Sequence, residues 1–133
     1  NININIPFTY NKPIIIPSSD YQKMIKDMLY IGNIIKIMST NNTLKFICIA
    51  DGIYSREVEF GMVDEDEDED EILENEFYSE QLHKIIKLSG LGSKLYVYIK
   101  EDNPLMIKCL IGSLGYINIY IKNIKQINSD EIN

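Results

Sequence analysis

One stretch of the chain recurs 61 residues further on, and that repeat limits the folds open to it more than any single motif does. Lys23 and Lys26 return as Lys84 and Lys87, Met24 and Ile25 as Ile85 and Ile86, Leu44 as Leu105, and Cys48 as Cys109. Each copy reads as a helix start, a short amphipathic helix bearing lysines, and then a run of strands. Self-similarity at such a period marks one supersecondary unit built twice. It also sets two equivalent helices side by side, with basic residues in matching places.

In the first copy Pro17-Ser18-Ser19-Asp20 opens a helix, with Ser19 as the expected N-cap and Gln22 completing a capping box. Tyr21, Met24, Ile25 and Met28 follow at i, i+3, i+4 and i+7, an apolar stripe for a core, and leave Lys23, Lys26 and Tyr30 on the opposite face. Gly32 ends the helix. Strands are predicted over 33–39, 43–49 and 53–60, the last marked as exposed or at an edge by Arg56, Glu57 and Glu59.

The second copy opens with a strand over 73–78. Its helix is capped by Ser79, turns Leu82, Ile85 and Ile86 inward and His83, Lys84 and Lys87 outward, and stops at Gly90 and Gly92. Strands over 94–100, 105–111 and 116–121 close it. The fold class is therefore α+β: two βαβββ repeats, about 13–60 and 73–121, with two adjacent helices packed on antiparallel sheet. Residues 1–12, interrupted by Pro7, read as an extended connector, and 126–133 as a flexible polar tail.

A net charge of −7 argues against a polyanionic partner until its distribution is read. Residues 64–71 are eight consecutive acids, and subtracting them leaves the other 125 residues at +1. Such a run cannot pack, so the segment 63–72 between the repeats reads as a solvated acidic loop. It lacks the spaced ligands and turn glycine of a calcium loop.

Several function classes are disfavoured. No apolar run approaches the roughly 18–20 residues that span a membrane, and no secretory signal opens the chain. The chain starts at Asn1, which suggests a processed product or a piece of something longer. Cys48 and Cys109 sit in matching apolar strands without a CxxC, which favours two reduced, buried thiols over a zinc site or a disulfide. The single imidazole, His83, has no triad-like neighbours, so neither a catalytic residue nor a metal or cofactor site is expected. Gly90-Leu91-Gly92-Ser93-Lys94 resembles a phosphate loop in its letters, but it follows a helix where a phosphate loop follows a strand.

The helix lysines carry more. Lys23 with Lys26, and Lys84 with Lys87, are i, i+3 neighbours, and each pair alone is an ordinary solvated face. Their repetition on adjacent helices points to a polyanion met without sequence readout, since lysine meets phosphate as a flexible point charge.

Four stretches then carry a family resemblance. Pro17-Ser18-Ser19-Asp20-Tyr21, followed by Lys26-Asp27-Met28 and Ile31-Gly32, resembles a "PSxxF…RDLxxIGD" helix. Thr43-Leu44-Lys45-Phe46 resembles a "GVKF" strand, Asp102-Asn103-Pro104-Leu105 a "D-x-P-L" turn, and Leu114-Gly115-Tyr116-Ile117 with Tyr120 an "MGHLxYYLAP" ending. In this order and spacing they resemble the C-terminal domain of sliding clamps of the proliferating cell nuclear antigen family, of viral or protist type, over about residues 4–125.

The resemblance implies a DNA-clamp domain. Such clamps close into rings with helices lining the hole and sheets outside. It implies a non-catalytic processivity factor that encircles duplex DNA and tethers replication and repair proteins. Lys23, Lys26, Lys84 and Lys87 would face the duplex, although Glu80 stands where a basic residue is common. Ile4, Ile6, Pro7 and Tyr10, at the end of an interdomain loop, would join Pro104 and Tyr120 in a pocket for "QxxIxxFF" peptides of DNA polymerase and other partners.

Met28, Ile31, Ile53, Ser55 and Glu57 would meet a neighbouring subunit of the ring. A clamp loader is a further implied partner, and the implied site of action is the nucleus, or a cytoplasmic replication site for a virus. Two departures stand out: Lys122-Asn123 replaces the usual "AP", and the segment 63–82 is some five residues short, with the acidic run in place of a strand. The alternative reading is a clamp-fold protein-interaction module that does not encircle DNA. For the chain alone, a monomer or weak dimer is expected.

Overall fold

A computed structural model of the chain describes residues 12–40, 42–50, 52, 54–61, 72–89, 93–100, 103–110, 113 and 115–131. The acidic run, the 1–11 connector, Ile53 and the glycines at 90 and 92 lie outside these residues.

The first repeat consists of β1 (Ile14–Pro17), α1 (Ser18–Ile31), β2 (Ile34–Ser39), β3 (Thr43–Ala50) and β4 (Tyr54–Gly61). The second consists of β5 (Leu73–Tyr78), α2 (Ser79–Lys84), α3 (Ile86–Ser89), β6 (Lys94–Tyr98), β7 (Leu105–Leu110) and β8 (Tyr116–Ile121), and α4 (Ile124–Glu131) follows it. Both βαβββ units are present. Their strands form two four-stranded antiparallel sheets, β4-β3-β2-β5 and β1-β6-β7-β8.

Each sheet thus takes three strands from one repeat and the first strand of the other. Ile16 of β1 faces Leu95 of β6, and Phe77 of β5 faces Ile35 of β2, which are equivalent pairings across the internal symmetry. The period-2 pattern of a strand says which face is buried but not which strand lies beside it, so this exchange left no trace in the sequence. Because the repeats trade strands, each sheet is completed by a strand of the other half.

The exchange is matched at the helix starts. Ser18 N donates to Ser93 O at 3.0 Å, and Ser79 N donates to Asn33 O at 2.8 Å. These bonds correct the expected caps. α1 starts at Ser18 with Pro17 as its N-cap, α2 starts at Ser79 with Tyr78 as its N-cap, and neither N-cap residue has a capping side-chain bond. Ser79 Oγ instead donates to Gly32 O at 2.8 Å. A tertiary contact takes the hydroxyl that local reasoning assigned to the helix end.

The apolar stripe of α1 is buried as its spacing requires: Tyr21, Ile25 and Met28 are fully buried and Met24 nearly so. Phe46 of β3 packs edge-to-face with Tyr21 (6.4 Å between ring centres, 77°) and with Phe60 of β4 (6.0 Å, 87°), geometry that adds to area burial. Gly32 is fixed by crowding: a Cβ there would lie 3.0 Å from Ile49 O and 3.3 Å from Cys48 Sγ. The two cysteines are free and buried, each beside its equivalent partner, Ile35 for Cys48 and Leu95 for Cys109. Burial raises both thiols above their ordinary pKa.

Two further differences from expectation appear. The second helix is divided at Ile85, whose torsions (φ −72°, ψ −19°) stay right-handed but tighten toward a 3₁₀ turn. Residues 126–131, expected to be part of a flexible tail, belong to α4. Asn123 and Gln126 cap it reciprocally: Gln126 N donates to Asn123 Oδ1 at 2.7 Å and Asn123 N to Gln126 Oε1 at 2.8 Å. The segment is polar enough to read as a tail, and its cap has Asn in place of the usual Ser or Thr.

The repeats meet through Tyr21, whose hydroxyl donates to Leu82 O at 2.9 Å inside the core. Burial drives the phenol pKa well above its ordinary value. The folded state therefore holds the proton where the unfolded chain releases it. The resulting stability is complete below pH of about 10 and is lost as pH rises above it. Tyr21→Phe is expected to cost about 1 kcal/mol in denaturant unfolding at neutral pH and to flatten the decline above pH of about 10. An unchanged alkaline decline in the variant would contradict this role.

Candidate nucleic-acid interface

The helices pack against each other, α1 on α2 and α3, with the Tyr21–Leu82 bond at their seam. This contact follows from the apolar stripes, which bury Tyr21, Met24 and Ile25 on one helix and Leu82 and Ile85 on the other. Residues on the opposite faces are turned to solvent. Lys23, Lys26, Lys84 and Lys87 are all exposed, and Tyr30, on the turn after Lys26, is 91% exposed.

The acids nearby are partly neutralised. Asp27 pairs with Arg56 of β4 at 3.4 Å, a half-exposed bridge of modest strength that ties the edge strand to α1. Asp20 and Glu80 remain exposed at the helix starts, where carboxylates complement the helix dipole.

The outer sheet face has the opposite character. On β4-β3-β2-β5, Glu57, Glu59, Glu74 and Glu76 project with Lys36 and Lys45 from alternate positions of paired strands, and Lys36 bridges Glu74 at 3.3 Å. The molecule presents a basic helix layer and an acidic sheet face. Among the described residues no group of three or more His, Cys, Asp or Glu is placed to hold a metal. His83 is half-buried on α2. No described helix is long and apolar enough to cross a membrane.

The other predicted site residues are dispersed. The register of β7 and β8 pairs Met106 with Tyr120, so Pro104 lies at the same end of that sheet as Tyr120, which is 55% exposed. Ile4, Ile6, Pro7 and Tyr10 lie outside the described residues. Of the expected subunit surface, Ser55 and Glu57 are exposed on β4, an edge strand, and Ile31 is half-buried. Ile53 is outside the described residues. Met28 is fully buried and presents no surface to a neighbour: it sits on the core stripe, four residues from Met24. Tyr30 lies on the lysine face, where its spacing from Lys23 and Lys26 places it.

The sequence of the chain over residues 6–124 matches the family model of the proliferating cell nuclear antigen C-terminal domain. The chain belongs to this family. A protein described as a probable DNA polymerase sliding clamp from Paramecium bursaria Chlorella virus 1 is 27% identical over 116 residues, which cover 81% of this chain and 44% of that protein. An uncharacterised protein of Acanthamoeba polyphaga mimivirus is 24% identical over 132 residues, which cover 95% of this chain and 39% of that protein. The clamp domain therefore spans about two fifths of the length of these relatives.

Because the four lysines are exposed and outside the core, replacing each with Ala is expected to change unfolding free energy by no more than about 0.5 kcal/mol. Thermal unfolding of the fourfold variant checks this. A collapse of stability would show that these side chains hold the helices together.

Proposed function

We propose that this chain is the C-terminal domain of a DNA sliding clamp, with α1, α2 and α3 turned toward duplex DNA. The observation that carries the reading is the pair of packed helices whose free faces bear Lys23, Lys26, Lys84 and Lys87 on a chain of the clamp family. A clamp works by topology and not by chemistry. Once a ring is closed, enclosure supplies retention, so the protein–DNA contacts need only be weak and uniform. Lysines at the end of flexible stems suit that task, because each follows a phosphate without fixing a register.

In this reading β4 is the edge that adds to a neighbouring subunit's sheet, with Ser55, Glu57 and Ile31 beside it. Ring closure draws on the part of the parent protein to which this domain belongs. Pro104 and Tyr120, at one end of the second sheet, belong in this reading to the outer pocket for polymerase and repair peptides of the QxxIxxFF type. An aromatic anchor entering such a pocket supplies most of the energy of a small interface. A clamp loader opens the ring, and catalysis is left to the tethered partners. The site of action is the nucleus or a cytoplasmic viral replication site.

The acidic outer sheet keeps the second reading, a clamp-fold interaction module without DNA enclosure. Retention of the parent protein on closed circular DNA distinguishes the two. The clamp reading expects retention that is lost when the circle is linearised. Equal behaviour on circle and line contradicts it. Lys-to-Ala changes at the four helix positions are expected to lower the slope of log affinity against log salt by about 0.9 for each lysine that meets a phosphate.

A further inference from the structure

β5 ends its sheet, and an unprotected strand edge carries a row of unpaired N–H and C=O groups open to another chain. α4 returns from the end of β8, in the other sheet, to lie beside that edge. A cleft of about 420 Å³ separates the two, lined by Glu74, Asn75 and Glu76 of β5 and by Asn123, Ile124 and Asn128 on the side of α4. Successive strand residues point to opposite faces, so a cleft that reaches all three runs along the rim of the strand and not across one face.

We propose that α4 is a hinged strap that guards the edge of β5. Its hinge is Asn123, only 2% exposed. The Asn123 amide donates through Nδ2 to Asn75 Oδ1 at 3.3 Å, and Asn75 Nδ2 donates in turn to Lys100 O at 3.4 Å, which links β5, the end of β6 and the strap. The same side chain caps the helix through its bond from Gln126 N. Docking and helix formation therefore share one residue.

Ile124 and Ile127 are half-buried, and Lys122 pairs with Asp130 at the surface. A helix of eight residues is marginal on its own in water, so α4 persists only while docked. Such a unit opens at lower free energy than the whole domain unfolds. While closed it denies the β5 edge to strand addition, and when open it frees that edge.

Hydrogen exchange on the 133-residue chain, on Asn123→Ala and on a chain ending at Asn123 tests the strap. Removing α4 is expected to speed exchange over 73–78 at least about tenfold while β3 and β7 keep their protection. The shortened chain is also expected to self-associate with concentration in sedimentation velocity, where the full chain does so less. The shortened chain retains the anchor residue, so it decides the matter even if Asn123→Ala does not fold. Unchanged protection of β5 overturns the proposal. So does an equal loss over β3 and β7, which would make α4 part of the global core.

Discussion

Two helices of equal origin lie against each other, and the Tyr21 hydroxyl bonded to the Leu82 carbonyl fixes how they do so. These two residues are 61 apart and are equivalents in the repeat, so the bond joins a position to its own copy. A buried hydroxyl without an acceptor is costly, and the seam supplies one where it also brings the apolar stripes into register. The strand exchange, the reciprocal bonds from Ser18 and Ser79, and the equivalent cysteine pairings repeat the same symmetry further out. The outward placement of the lysines is what remains after the inward faces have been committed.

That division of faces gives the molecule its electrostatic character. The formal charge is negative, yet the exposed helix layer is basic and the carboxylates gather on the outer sheet and in the acidic run. At physiological ionic strength exposed charges act over only about 8 Å, so local arrangement outweighs the total. In the proposed clamp reading, these lysines are the charges a duplex meets on the helix layer.

Much of this was legible in the sequence because it depends on period. The stripe Tyr21, Met24, Ile25, Met28 and the alternation of β2 are local patterns, and burial follows from them. What the sequence hid depends on contacts between distant segments. Ser19 looked like a cap because capping chemistry is local, whereas the helix actually starts at Ser18, whose N–H is taken by Ser93. Met28 looked available to a neighbour only until α1 was seated on the sheets. α4 has few apolar residues and an Asn-Gln cap, and its contact with Asn75 joins segments too distant for a local pattern to show. The lysine face was readable residue by residue, while the acidic face opposite it required strand register.

The central claim is that the helix layer, and not either sheet, is the surface that meets duplex DNA. Nuclear magnetic resonance titration of the chain with a short duplex measures this directly. Shifts concentrated at Lys23, Lys26, Lys84, Lys87 and Tyr30, shrinking as salt is raised and indifferent to base sequence, are the predicted result. Shifts centred on the strands bearing Glu57, Glu59 and Glu76, or none that depend on salt, would contradict it.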